Sequence, residues 1–445
     1  MKNENMTPTQ PEGISRKDFL SLTGKTILVG TAGSGVMTGL LGANVFAQHR
    51  PAAYSPPAAI PVGMEDPIVL EQWKSAVDQK SAPTPTPLPP DKRLGYAVVG
   101  LGHLALEEVL PALNNCKKSK LVALVSGSPE KLSKVASQYG ISNQNCYTYE
   151  TYDQLRSNPD VQIIYIILPN GLHKEYVIRG AKAGKNILCE KPMANSAQEC
   201  REMIAACNAA KVKLMVAYRI QFQPHNRKLR EFIQQKTFGV PKYIEACNSQ
   251  STANVNHWRH KKALAGGGAL PDIGLYCLNT TRFILDMEPT EVFAYQYSTP
   301  GNPLFKEVEE LVSWQMRFPN GIIASCATDY DVHESRRYRV NCQKGWMNMD
   351  KAYAYTGQKL TTAKAEGTLE LQQEVGLAEN NQFGEEMDHF SHCVMNNLRP
   401  FTPGEEGLQD HIIMEAIYES AKKGRPIHLP NADSNKWRGP EPITG

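Results

Sequence analysis

The chain has 445 residues, 48 Lys and Arg against 45 Asp and Glu for a net charge of +3, and side chains that are 41% hydrophobic and 21% charged. That length supports two or three domains with full cores and excludes a peptide module or a small disulfide scaffold. The near-balanced charge excludes a phosphate-tracking nucleic-acid binder, and beyond the N-terminus no apolar run approaches the ~20 residues of a membrane span, so the mature chain is expected to partner neither nucleic acid nor membrane.

Residues 1–47 read as an export signal. Ser15-Arg16-Lys17-Asp18-Phe19-Leu20 precedes a weakly apolar stretch, Thr26 to Phe46, that closes on Val45-Phe46-Ala47, with small residues where a signal peptidase needs them. The run resembles the twin-arginine pattern, with Lys17 where a second arginine would stand. A Sec signal or an uncleaved anchor is the alternative. Residues 48–92 form a Pro-rich arm, with ten prolines between 51 and 90, which must run extended. Its Ile60, Val62, Leu70 and Trp73 are hard to justify in a free spacer and suggest an arm lying across another surface.

From 93 to 216 short β-rich runs alternate with helical stretches: Tyr96 to Gly100, a helix through Leu113, Leu121 to Val125, a helix near 129–139, Ile163 to Leu168, a helix near 173–183, and Asn186 to Cys189. This alternation predicts an α/β Rossmann domain on a parallel sheet. From 217 to 430 alternating segments dominate (Lys242–Cys247, Glu291–Tyr297, Leu311–Phe318, Gly321–Thr328, Arg337–Cys342), predicting an α+β domain with a large, mostly antiparallel open sheet. Helices near 383–398 and 405–423 are expected to pack back onto the body, and 431–445 form a tail. The ten cysteines show neither a C-x-x-C pair nor zinc-ribbon spacing and read as buried reduced thiols. His257, His260, His389 and His392 are better explained as solvated histidines than as metal ligands.

Gly100-Leu101-Gly102-His103-Leu104-Ala105 follows a strand and opens a helix, the context in which G-x-G-x-x-A lets backbone and helix N-terminus approach a pyrophosphate. After the second strand stand Ser126-Gly127-Ser128 and Lys131, where an NAD enzyme would present an acid to the ribose diol. A hydroxyl and a cation there suit a 2′-phosphate, so the expected cofactor is NADP. Glu190-Lys191-Pro192 ends a strand at the sheet edge where α/β ligands bind, which makes Lys191 a candidate to polarise a hydroxyl. In the segment Gly266 to Phe283, Asp272 and Tyr276 are four residues apart and would share one helix face. Oxidising a carbinol needs a group that takes and returns the hydroxyl proton, and a tyrosine beside a cationic lysine can do so.

Together, G-x-G-x-x-A, Leu168-Pro169-Asn170 with His173, Glu190-Lys-Pro192 and Asp272-x-Gly-x-Tyr276 resemble the Gfo/Idh/MocA oxidoreductase family, from about Pro89 to Pro426. Tyrosine at 276, Ser126 with Lys131, the export signal and the arm resemble one branch of it. The resemblance implies a periplasmic homo-oligomer, dimer or tetramer, with small-molecule sugars as partners. It would hold NADP through turnover, oxidise an aldose to an aldonolactone and reduce a second sugar to a polyol in a ping-pong cycle. It makes Lys191, Asp272 and Tyr276 catalytic, sets Tyr149, Leu168, Pro169, Asn170, His173, Glu190 and Arg219 near the cofactor, and has Trp258 and Arg259 border it or the sugar. His103-Leu104 and Ile220-Gln221-Phe222 depart from the branch's pattern, which bears on sugar preference and cofactor retention. Rival readings are an NADP-dependent sugar dehydrogenase with exchangeable cofactor, an NAD-dependent glycosidase of the superfamily, and a non-enzymatic sugar sensor.

Overall fold

The computed structural model describes residues 88–252, 254–378 and 380–442. The expected export signal, the arm as far as residue 87 and the last three residues lie outside them. Six parallel strands come first: β1 (Leu94–Val99), β2 (Ser119–Val125), β3 (Cys146–Tyr147), β4 (Ile163–Ile166), β5 (Asn186–Glu190) and β6 (Leu214–Ala217), in the order β3-β2-β1-β4-β5-β6. β4 is buried throughout, as an apolar run covered by helices on both faces must be. The order reverses between β1 and β4, and in open α/β sheets ligands bind in the crevice at that reversal, beyond the carboxyl ends of the strands.

The second sheet has nine strands: β7 (Pro241–Ser249), β8 (Glu291–Tyr297), β9 (Leu311–Arg317), β10 (Ile323–Asp329), β11 (Ser335–Cys342), β12 (Gly345–Asp350), β13 (Lys359–Glu366), β14 (Leu369–Val375) and β15 (Ile427–His428), ordered β14-β13-β12-β11-β7-β10-β9-β8-β15. Only β7 and β10 run parallel. Along β9 Val312, Trp314 and Met316 are buried while Ser313, Gln315 and Arg317 are exposed, the period of a sheet covered on one face. The helices Leu275–Leu285 and Gly404–Lys423 supply that cover, and the opposite face shows Tyr295 and Tyr297 to solvent. The α/β architecture is the expected one.

The helix Gln382–Met395 does not lie on this sheet. Phe383, Met387 and Phe390 join the core beside β1 and β2, and the Tyr96 hydroxyl donates to the Met387 carbonyl at 2.8 Å, so this late segment covers the first sheet. Arg282, wholly buried, donates to Glu288 through Nε at 2.7 Å and Nη2 at 2.8 Å, and through Nη1 to Glu406 at 3.2 Å and to Asp410. The tail closes over this cluster: Trp437 Nε1 and Arg438 Nη2 each donate to Glu406 at 2.9 Å, and Arg438 also pairs with Asp286. All ten cysteines are free, seven of them buried. Among the described residues no helix is long and apolar enough to cross a membrane.

Candidate active site

A cavity of about 400 Å³ opens where β1, β4 and β5 end. Gly100 leaves β1 at φ +95, and a Cβ there would come within 2.2 Å of the Ile167 carbonyl oxygen, so only glycine lets the chain turn between the strands. Gly102, His103 and Leu104 follow along the cavity wall, and Ala105 starts a π turn, Ala105–Val109, that runs into the helix Leu110–Asn115. A turn that leads into a helix N-terminus is the arrangement an anion requires. Beside it Ser126 lines the wall and Lys131 Nζ donates to the Leu101 carbonyl at 3.1 Å, which brings its charge back to the glycine turn.

Tyr149, Leu168, Pro169 and Asn170 continue the wall, and burial pushes the Tyr149 phenol up. Asn170 Nδ2 donates to the Ala265 carbonyl at 2.8 Å, tying the β4 loop to the chain that leads into the segment of Asp272 and Tyr276. Three expected cofactor residues do not reach the cavity: Ala105, Gly127 and His173. His173 is a strut behind it. Its ring nitrogens lie 2.7 Å from the Leu168 carbonyl and 3.0 Å from that of Pro192, fastening the β4 and β5 loops together.

Lys191, Asp272 and Tyr276 meet at the far end. The segment is not a plain α-helix, because Leu270–Gly274 forms a π turn before the α-helix Leu275–Leu285 begins; such bulges recur at functional sites. Gly268 lets this turn sit against β9's approach, since a Cβ there would fall 1.9 Å from the Glu309 carbonyl oxygen. The buried Glu309 carboxylate accepts from the amides of Gly268 at 2.7 Å and Leu270 at 3.0 Å.

Lys191 Nζ donates to the Asp272 carbonyl at 2.8 Å, lies 3.7 Å from Asp272 Oδ1 and 4.4 Å from the Tyr276 ring centre. Asp272 Oδ2 accepts from Arg259 Nε at 2.7 Å and from the Tyr330 hydroxyl. Burial alone would raise the Asp272 carboxyl, but Arg259 and Lys191 hold it well below the usual carboxylate range. Arg219 stacks 4.8 Å from Tyr276 on one side and 4.7 Å from Tyr355 on the other, anchored by Nη2 to the Tyr353 carbonyl at 2.7 Å and Nη1 to Gln382 at 2.8 Å. Trp258 and Arg259 close the rim, with the guanidinium 4.5 Å over the indole.

Leu101, Ile167, His257, Tyr355 and Phe383 also line the cavity and had not been singled out for it. Leu101 and Ile167 adjoin expected residues and were within reach of the motif. Tyr355 and Phe383 come from segments with no motif of their own. Burial and the neighbouring Arg259 lower His257 to about 4, so it is neutral at pH 7. Among the described residues no three His, Cys, Asp or Glu side chains gather as a metal site.

The family profile described as "Oxidoreductase family, NAD-binding Rossmann fold" matches residues 94–218, and "GFO/IDH/MocA C-terminal domain" matches 226–348. A crystal structure of aldose–aldose oxidoreductase from Caulobacter crescentus, complexed with glycerol, is 41% identical with a TM-score of 0.73, over 76% of this chain and 100% of that one. D-xylose 1-dehydrogenase [NADP(+)] of Haloarcula marismortui is 28% identical over 344 residues, 76% of this chain and 94% of the relative. 1,5-anhydro-D-fructose reductase of Ensifer adhaerens is 26% identical over 342 residues, 75% and 98% of the two chains. With a glycine turn at the strand reversal, a lysine closing β5 and both family halves matched, the chain belongs to the Gfo/Idh/MocA oxidoreductase family.

Proposed function

We propose that the protein is a sugar oxidoreductase of the glucose–fructose oxidoreductase type, using NADP that stays bound while one sugar is oxidised at C1 and a second is reduced. The observation that carries this is the convergence of Lys191, Asp272 and Tyr276 at one end of a cavity whose other end is the glycine turn. The residues fit a dinucleotide. Gly100 admits the turn, the Gly102–Leu104 backbone and the following helix would take the pyrophosphate, and Ser126 with Lys131 would take a 2′-phosphate where no carboxylate stands to repel it. Bound there, NADP would accept hydride from the sugar carbinol and, once reduced, return it to a carbonyl.

The chain's own part is positioning and proton transfer. Tyr276 takes the C1 hydroxyl proton in the oxidative half and returns a proton to the ketose carbonyl in the reductive half. Lys191 and Arg219 set two positive charges against its ring, the electrostatics that developing negative charge on the phenol oxygen needs. Asp272 keeps Lys191 and Arg259 in place with both carboxylate oxygens. Aldose substrates agree with the aldose and xylose enzymes among the relatives. Export to the periplasm belongs to the same reading and rests on the pattern of residues 1–47.

Glucose alone, added to the purified protein, should raise reduced-nicotinamide absorbance once, in proportion to enzyme, and fructose should then remove it. Turnover that depends on added free NADP identifies an exchanging dehydrogenase instead.

A further inference from the structure

Behind the end of β5 three side chains form a chain that the catalytic trio does not use. The Tyr165 hydroxyl, on β4, lies 2.7 Å from Glu190 Oε1 and 3.3 Å from Oε1 of Glu386, on the helix Gln382–Met395. Tyr165 and Glu386 are wholly buried and Glu190 nearly so. A phenol carries one proton and cannot donate to both carboxyls at once. Oε2 of Glu386 is buried with no partner, so an ionised Glu386 would be a desolvated anion with at most one long hydrogen bond, a costly arrangement. Glu190 is better provided for. It receives the shorter phenol contact and the Lys191 amide at 3.2 Å, and it lines the cavity with Lys191 and Arg219.

One assignment of protons satisfies these groups. A protonated Glu386 donates to the Tyr165 oxygen, Tyr165 donates to Glu190, and Glu190 is the anion; the partnerless Oε2 is then a neutral carbonyl, the least expensive group to leave unpaired. Burial raises both carboxyls. Tyr165, Lys191 and Arg219 oppose the rise at Glu190; at Glu386 the charge on Glu190 adds to it, and Arg219 and Tyr165 oppose it without Lys191, leaving Glu386 well above the usual carboxylate range.

We propose that Glu386 is a positioning residue for the site: as a neutral acid it donates through Tyr165 to Glu190 and confines the pair's single negative charge to the carboxylate beside Lys191. The kinetic consequence rests on the sugar oxidoreductase reading, but the charge assignment does not. Infrared spectra of the full chain with its nucleotide, wild type against Glu386→Gln at pH 7, should differ by one carbonyl component of a protonated carboxyl, lost in the variant. Identical carbonyl regions overturn the assignment whether or not any sugar is turned over.

In sugar oxidation Glu386→Gln keeps a donor to Tyr165 and should stay within about twofold of wild type, while Glu386→Leu removes it and should lose about tenfold in kcat with nucleotide content unchanged. Equal losses in both variants, or none in Leu, overturn the positioning role. The near-isosteric Gln variant keeps the infrared comparison decisive even if the Leu variant fails to fold.

Discussion

Tyr276 sits 4.4 Å from Lys191 Nζ and 4.8 Å from Arg219, so removing its hydroxyl deletes the proposed proton acceptor while leaving the packing of the ring in place. Positioned acid–base groups supply about 10²–10⁴-fold, and Tyr276→Phe should lose that much in each half-reaction and still retain nucleotide, because the glycine turn is untouched. Stopped-flow absorbance with glucose, then with fructose, reads the two halves separately. At the other end of the cavity Ser126→Asp would set a carboxylate against a 2′-phosphate. Preference should move from NADP toward NAD, measured as the ratio of the two dissociation constants for the emptied protein. Lys191, Asp272 and Tyr276 were legible in the sequence because each stands at a strand end or on one turn of a segment with a recognisable pattern. Tyr330, Tyr355 and Glu386 were not, because the second sheet, the loop after β12 and a late helix carry them to the site, and no local spacing encodes that meeting.

The helices Gln382–Met395 and Gly404–Lys423 are each docked through a neutral histidine. His389 Nε2 accepts from the Phe401 amide at 3.1 Å, and His411 Nε2 accepts from the Ala194 amide at 3.2 Å; burial lowers both to about 3. An unfolded imidazole titrates near 6.5, so between about pH 3 and 6.5 the unfolded chain holds more protons than the folded one. Stability therefore rises with pH across that interval and is complete above it. Thermal melts from pH 4 to 8 should show the rise, and His389→Gln or His411→Gln should flatten it, since an amide can accept without titrating. Elements with strong periodicity, such as Pro129–Tyr139 and β8, stand where the pattern predicted them. The sequence reading did not mark β14, because most of Leu369–Val375 is exposed and Gln373 interrupts the alternation that Leu369, Leu371 and Val375 would otherwise show. The helix Gln382–Met395 was visible as a helix, but its docking on the first sheet follows from Tyr96 and Met387, a contact across most of the chain.

At the scale of the molecule, two side chains near the end of the described residues, Trp437 and Arg438, reach the buried charge cluster. Arg438, almost wholly buried, is a counter-ion for Glu406, whose carboxyl lies well below its ordinary range because Arg282 and Arg438 outweigh the cost of burying it. Arg438→Ala leaves that cluster short of one charge, and breaking a buried pair costs about 3–5 kcal/mol. A lower urea midpoint with an unchanged slope would register the loss as stability rather than altered compactness. The sequence reading treated 431–445 as a tail; only the fold shows Trp437 and Arg438 reaching Glu406.

That closure also orders events during synthesis. Arg282, Glu406 and Asp410 leave the ribosome before Trp437 and Arg438, so until these two follow, the cluster holds the carboxylates of Glu288, Glu406 and Asp410 against the guanidinium of Arg282. The second half of the molecule cannot settle its charge until Trp437 and Arg438 have emerged. A chain cut short directly after Gly424 would keep the cluster in that unbalanced condition and should be cleaved by protease faster than one that reaches Arg438.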